Sequence, residues 1–171
     1  MTEEERRRLA VRHVVHEYAN FISSGKMVQT GLDIDGVLFQ APINTHVSHA
    51  FYLNCRKLAD FFQNKRGCND DILAEHYVSG FKGNLPEFDK LRERINKQLA
   101  HVTYARDTKV AKAITKEESR KLYAELKDTW KEFRKALIGG PYADEFIKKV
   151  KERKEPHSDG TLSEFRTYDL D

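Results

Sequence analysis

Arg94 and His101 lie seven positions apart in the run Arg94-Ile95-Asn96-Lys97-Gln98-Leu99-Ala100-His101. A guanidinium is a flat fork of donors that matches two phosphate oxygens, and an imidazole can accept or release a proton near neutral pH. In a helix, seven residues fall about 20° short of two turns, so both side chains leave the helix in nearly the same direction. Measured from Arg94, the apolar Leu91, Ile95, Leu99 and Val102 fall near roughly 60°, 100°, 140° and 80°, and Gln98 near about 40°. The pair therefore stands at the shoulder of an apolar stripe, a position that suits a cleft or a contact with a second subunit.

The charge around this pair is uneven. Between Lys90 and Lys112 seven cations (Lys90, Arg92, Arg94, Lys97, Arg106, Lys109, Lys112) face two carboxylates (Glu93, Asp107), a local +5 that exceeds the +3 of the whole chain. Such a field favours a phosphate-bearing partner, whereas the small overall charge argues against a generic polyanion binder. A solvated helix face followed by a charged loop gives the same count.

The elements that must position these residues read as helices. With 171 residues, 39% hydrophobic and 33% charged, the chain has the balance of one soluble domain with its own core. The first helix opens at Thr2, whose hydroxyl forms a capping box with Glu5. Its stripe is Val11, Val14, Val15, Tyr18, Phe21 and Ile22, and Ser23-Ser24-Gly25 is expected to end it. Met27 to Ala41 reads as an irregular connection with room for a short strand. Asn44 is expected to cap a second helix reaching about Lys65, with Val47, Phe51, Asn54, Cys55, Leu58, Phe61 and Phe62 inward. A short helix follows through Ile72, Leu73, His76 and Tyr77, capped by Asn69 or Asp70. The Arg94/His101 helix spans Pro86 to about Ala105, with Phe88 and Leu91 heading its stripe. Thr115 and Glu118 form a second capping box, opening a helix to Leu137 whose inward residues are Leu122, Leu126, Thr129 or Trp130, Phe133 and Leu137. Gly139-Gly140-Pro141 stops it and starts a last helix, Pro141 to about Arg153. The expected fold is an all-α bundle of four to six helices over residues 1–153, with a polar tail over 154–171.

No window approaches the ~18 consecutive apolar residues of a membrane span. The Met1-Thr2-Glu3-Glu4-Glu5-Arg6-Arg7-Arg8 start lacks a signal-peptide core, so the chain reads as cytoplasmic with no membrane partner. In that compartment Cys55 and Cys68 are expected to stay reduced.

Other constellations carry less. Gly31-Leu32-Asp33-Ile34-Asp35-Gly36-Val37-Leu38-Phe39 looks like the nucleophile motif of haloacid-dehalogenase-type phosphatases. That chemistry needs a parallel sheet and later acidic residues, so a turn with Asp35-Gly36 at its corner is preferred. His13/His16 and His46/His49 have the spacing that can share a metal. They lack the Glu-x-x-His order of bundle-core sites, and no metal or cofactor is assigned. Arg56 and Asp60, four apart, make an intrahelical ion pair or line a groove beside the core stripe.

The run Arg92-Glu93-Arg94-Ile95-Asn96-Lys97-Gln98-Leu99-Ala100-His101-Val102-Thr103-Tyr104-Ala105-Arg106 resembles the signature helix of the HEPN superfamily, in particular its abortive-infection-like bacterial branch. The family pattern is an Arg, four to six residues, then a His, in a small helical bundle. Arg56-Lys57-Leu58-Ala59-Asp60-Phe61-Phe62 and Asp70-Asp71-Ile72-Leu73-Ala74-Glu75 are also similar to this branch. Ile95 stands where the family commonly carries a polar residue.

The resemblance implies a metal-independent endoribonuclease acting as a homodimer with the two motifs facing each other. Family members often belong to toxin–antitoxin or phage-defence systems, which would add an antitoxin partner. RNA supplies its own nucleophile, the 2′-hydroxyl. His101 would serve as base or acid, Arg94 would hold the non-bridging oxygens, and the partner's motif would supply a second imidazole. Asn96 or Gln98 would orient the imidazole or the phosphate, Arg106 would contact the RNA backbone, and the product would be a 2′,3′-cyclic phosphate. The competing reading is a catalytically silent helical module for dimerisation or partner binding.

Overall fold

The computed structural model describes residues 1–30, 33–34, 37–38, 42–100 and 114–154. It is a helical bundle of five α-helices: α1 (Glu3–Thr30), α2 (Pro42–Phe62), α3 (Pro86–Ala100), α4 (Lys116–Leu137) and α5 (Ala143–Lys154). A single 3-10 turn, Ala74–His76, lies between α2 and α3. The one sheet among the described residues is a two-residue antiparallel ladder, β1 (Asp33–Ile34) with β2 (Val37–Leu38). Asp33 pairs with Leu38 and Ile34 with Val37, which leaves only Asp35 and Gly36 between the strands. No helix among the described residues is long and apolar enough to cross a membrane.

All five α-helices feed one apolar cluster. The stripe expected for α1 is buried at every position from Val11 to Ile22, and so are Leu122, Leu126, Trp130, Phe133 and Leu137 of α4. Aromatic rings fill the centre: Tyr18 stacks on Trp130 at 4.0 Å and Phe61 meets Phe133 edge-on at 5.3 Å. Offset and edge-on pairs of this kind add to the stabilisation from burial alone. Cys55 is buried within the cluster and Cys68 is exposed, and both are free thiols.

Several boundaries depart from the sequence expectation. α1 does not end at Ser23-Ser24-Gly25 but continues to Thr30. Ser24 turns its hydroxyl inward, donating to the Asn20 carbonyl at 2.7 Å and accepting from Asn54 Nδ2 at 3.3 Å. Gly25 is small because the Tyr123 ring lies where a Cβ would stand. The small residues are there for close helix packing, not for termination. α2 begins at Pro42 rather than after Asn44; proline's fixed φ and missing N–H suit a first helical turn. The segment around Leu73 to Tyr77 forms only the 3-10 turn. The carboxylate expected to cap it is displaced by one residue: Asp71 Oδ2 accepts from the Gly67 and Cys68 amides at 2.6 and 2.7 Å, closing the preceding turn instead. At the other end of the chain α5 starts at Ala143, two residues after Pro141. Gly139, at φ 80°, takes the left-handed conformation that lets the chain leave α4.

Candidate functional site

α3 carries the predicted site, and its position is set from α4. The Glu125 carboxylate reaches across to the first turn of α3 and accepts from the Glu87 and Phe88 amides at 2.8 and 2.9 Å. It does so at the positive end of the α3 dipole, where a carboxylate is most favourable. Two turns earlier on α4, Glu118 meets Arg94 in a bidentate pair, Nη1 to Oε1 at 2.7 Å and Nη2 to Oε2 at 3.1 Å. Glu118 precedes Glu125 on α4 whereas Arg94 follows Glu87 on α3, so the two helices run antiparallel.

Arg94 is at the shoulder of the core stripe. Leu91 and Ile95 beside it are buried, Ile95 completely, and its own side chain is 20% exposed. Ile95 is thus a core residue, which accounts for an apolar side chain at that place in the motif. The group that fills the guanidinium fork is a carboxylate of the same chain. Donating this hydrogen bond to Glu118 raises the Arg94 pKa. In return, the Arg94 guanidinium, with the Thr115 amide, holds the Glu118 carboxyl down to about 2.

Glu118 also serves its own helix. Its Oε2 accepts from the Thr115 amide at 2.7 Å, while Thr115 Oγ1 accepts from the Glu118 amide at 3.2 Å, the reciprocal capping box expected from the sequence. Next to it, Ser119 donates to the Thr115 carbonyl at 3.0 Å, so its oxygen is left to accept from the buried Tyr52 hydroxyl at 2.9 Å. Burial pushes the Tyr52 phenol above its ordinary pKa, which keeps it neutral and a donor. Arg94, Glu118, Thr115, Ser119 and Tyr52 therefore form one chain of polar contacts joining α3, the start of α4 and α2.

The same pattern repeats along α3. Arg92 donates to Asp60 at 2.9 Å and to Gln63, and its guanidinium lies over the Phe88 ring at 4.5 Å. Asp60 also receives Arg56 at 3.8 Å, the intrahelical pair expected on α2. Lys90 pairs with Glu87 and Lys97 with Glu93, each at 2.6 Å. Each described cation of the basic run is therefore matched by a carboxylate, and the local positive field is largely neutralised there. Arg106, Lys109 and Lys112 lie outside the described residues.

His101 also lies outside the described residues, as does the side chain of Gln98. Asn96 is described: its Oδ1 is buried with no hydrogen-bond partner among the described residues. Of the predicted site residues, the structure brings Arg56 and Asp60 together and leaves Arg94 and Asn96 on the same helix but with different surroundings. Glu118, Ser119, Tyr52, Arg92 and Gln63 were not singled out as site residues; of these, Glu118 carried a sequence signal as the third residue of its capping box and Arg92 as a member of the basic run. Neither His13/His16 nor His46/His49 belongs to a metal-sized group of ligands among the described residues. The one such group, Cys68, Asp70 and Asp71, sits in a turn where Asp71 already accepts two amides.

No protein-family model, curated protein or solved structure matches the chain.

Proposed function

We propose that this chain is a helical interaction module, able to dimerise or bind a partner, in which the α3 motif serves structure. The observation that carries the reading is the bidentate Arg94–Glu118 pair. A fork that already holds two carboxylate oxygens of its own chain has no free face for a phosphate, and Glu118 cancels the charge that would attract one. The matched pairs of Lys90, Arg92 and Lys97 act in the same direction.

A second reading, a HEPN-like metal-independent endoribonuclease working as a homodimer on RNA, draws support from two observations. Asn96 Oδ1 is buried without a described partner on the helix that leads towards His101. The Arg94–Glu118 pair lies at the rim of the bundle, where a substrate phosphate could exchange with the carboxylate. An antitoxin partner belongs to this reading only.

One assay separates them. Wild type, His101→Ala and Glu118→Gln are incubated with RNA in EDTA, and the ends of any product are mapped. The module reading expects no cleavage that depends on His101. Cleavage to 2′,3′-cyclic ends that His101→Ala abolishes, and that Glu118→Gln enhances by freeing Arg94, would replace it with the nuclease.

A further inference from the structure

Five large apolar side chains are exposed among the described residues, and two of them, Ile138 at 78% and Ile147 at 48%, border the same groove. The groove, about 400 Å³, lies between the end of α4 and α5. Trp130, Leu137, Phe146 and Val150 form its apolar floor, and the basic side chains of Lys131, Arg134 and Lys135 of α4 edge it, Lys131 being paired with Asp128 at 3.0 Å. Its volume is within the roughly 300–1,000 Å³ of small-ligand sites, enough for a few side chains of a peptide and too little for a folded partner.

The chain carries a segment of matching chemistry immediately after the helix that forms the groove's wall. Residues 155–171 hold five carboxylates (Glu155, Asp159, Glu164, Asp169, Asp171) and one cation, Arg166, for a net −4. Taking that from the whole-chain +3 leaves +7 on residues 1–154. In the same segment Leu162, Phe165, Tyr168 and Leu170 are interleaved with Glu164, Asp169 and Asp171. An apolar floor with a basic edge calls for apolar side chains alternating with acids.

Reach and reversal are also met. α5, at 12 residues, is about 18 Å long. Leu162 stands eight residues beyond Lys154, a span of up to about 27 Å when extended. Asp159-Gly160 between them is a sequence that favours chain reversal. Tethering at this distance gives an effective concentration on the order of millimolar, so even a weak apolar contact is occupied.

We propose that residues 161–171 dock back into the α4–α5 groove of their own chain. Leu162 and Phe165 rest on the floor beside Trp130, and Glu164 and Asp169 face the basic edge at Lys135. Any other partner of the groove must then displace this segment.

The test uses the full chain in a Cys68→Ser background, where buried Cys55 stays protected. Ile138→Cys with Ser163→Cys is compared with Leu53→Cys and Ser163→Cys; Leu53 is exposed on α2 and does not line the groove. Both positions are on the surface, so helicity by circular dichroism is expected to match wild type. In dilute protein under a mild thiol–disulfide buffer, the groove pair should close within one chain roughly tenfold more readily than the control pair. Glu164→Lys with Asp169→Lys should bring it down towards the control. Equal closure of the two pairs overturns the proposal. So does a groove cross-link that forms only between chains and rises with protein concentration, which would give the groove to a second copy.

Discussion

Glu118→Gln separates the charge of Glu118 from its capping geometry, because glutamine still fits the third position of a capping box. The carboxyl is lowered from an ordinary 4.5 to about 2, by the Arg94 guanidinium first and the Thr115 amide second. A displacement of that size corresponds to at most about 3 kcal/mol. The side chains of Arg94 and Glu118 are 20% and 33% exposed, and solvent screening at that exposure reduces the contribution to about 1–2 kcal/mol. The folded-state pKa lies below the unfolded one. The stabilisation is therefore complete above about pH 5 and is lost as pH falls through 4.5 towards 2. Urea unfolding of wild type and Glu118→Gln should show a gap of about 1–2 kcal/mol near neutral pH that shrinks by more than half near pH 3. Glu118→Ala, which also removes the return arm of the capping box, should lose about 0.5 kcal/mol more. A gap that does not change with pH, or one below about 0.3 kcal/mol, would refute the assignment of Arg94 as the partner that matters.

Gly25→Ala places a methyl against the Tyr123 ring and should destabilise by about 2 kcal/mol, a fall in Tm of about 4–8 °C by calorimetry; Tyr123→Ala in the same chain should recover part of it. Glu125→Ala leaves the Glu87 and Phe88 amides without their acceptor and should cost about 1–2 kcal/mol in a chemical denaturation curve. Native protein treated with an aromatic disulfide reagent should release one equivalent quickly, from exposed Cys68. Cys55 should react only on unfolding, because it is buried and burial raises its pKa well above the ordinary value.

What could be read from the sequence follows from how far each signal acts. The start of α4, its buried stripe and its glycine stop depend on residues within one or two turns of each other, and they were legible. The shoulder position of Arg94 was legible for the same reason, since it rests only on the helical angle to Leu91 and Ile95. The length of α1 was not, because Ser24 and Gly25 are explained by Asn54 and Tyr123, thirty residues and more away. Nor was the partner of Arg94. Glu118 is a sequence-visible cap, but its second role depends on the antiparallel register of α3 against α4, which no local pattern specifies. Asp60 shows the same limit from the other side: its pairing with Arg56 is local and was expected, whereas its hydrogen bond from Arg92 on α3 was not.

Two of the carboxylates that hold α3, Glu118 and Glu125, come from α4 and are two turns apart on it. α3 has 15 residues, a length at which an isolated helix is marginal in water. Its first-turn amides and its central arginine both depend on the neighbouring helix, so α3 gains these hydrogen bonds only once α4 is in place. The two should open and close as one cooperative unit in native-state exchange, with α3 no more protected than α4. A slip of one residue between them would break both contacts at once, so the pair of glutamates also fixes a single alignment of the two helices. The spacing that first suggested catalysis on α3 thus has its counterpart on α4, where it serves as a ruler.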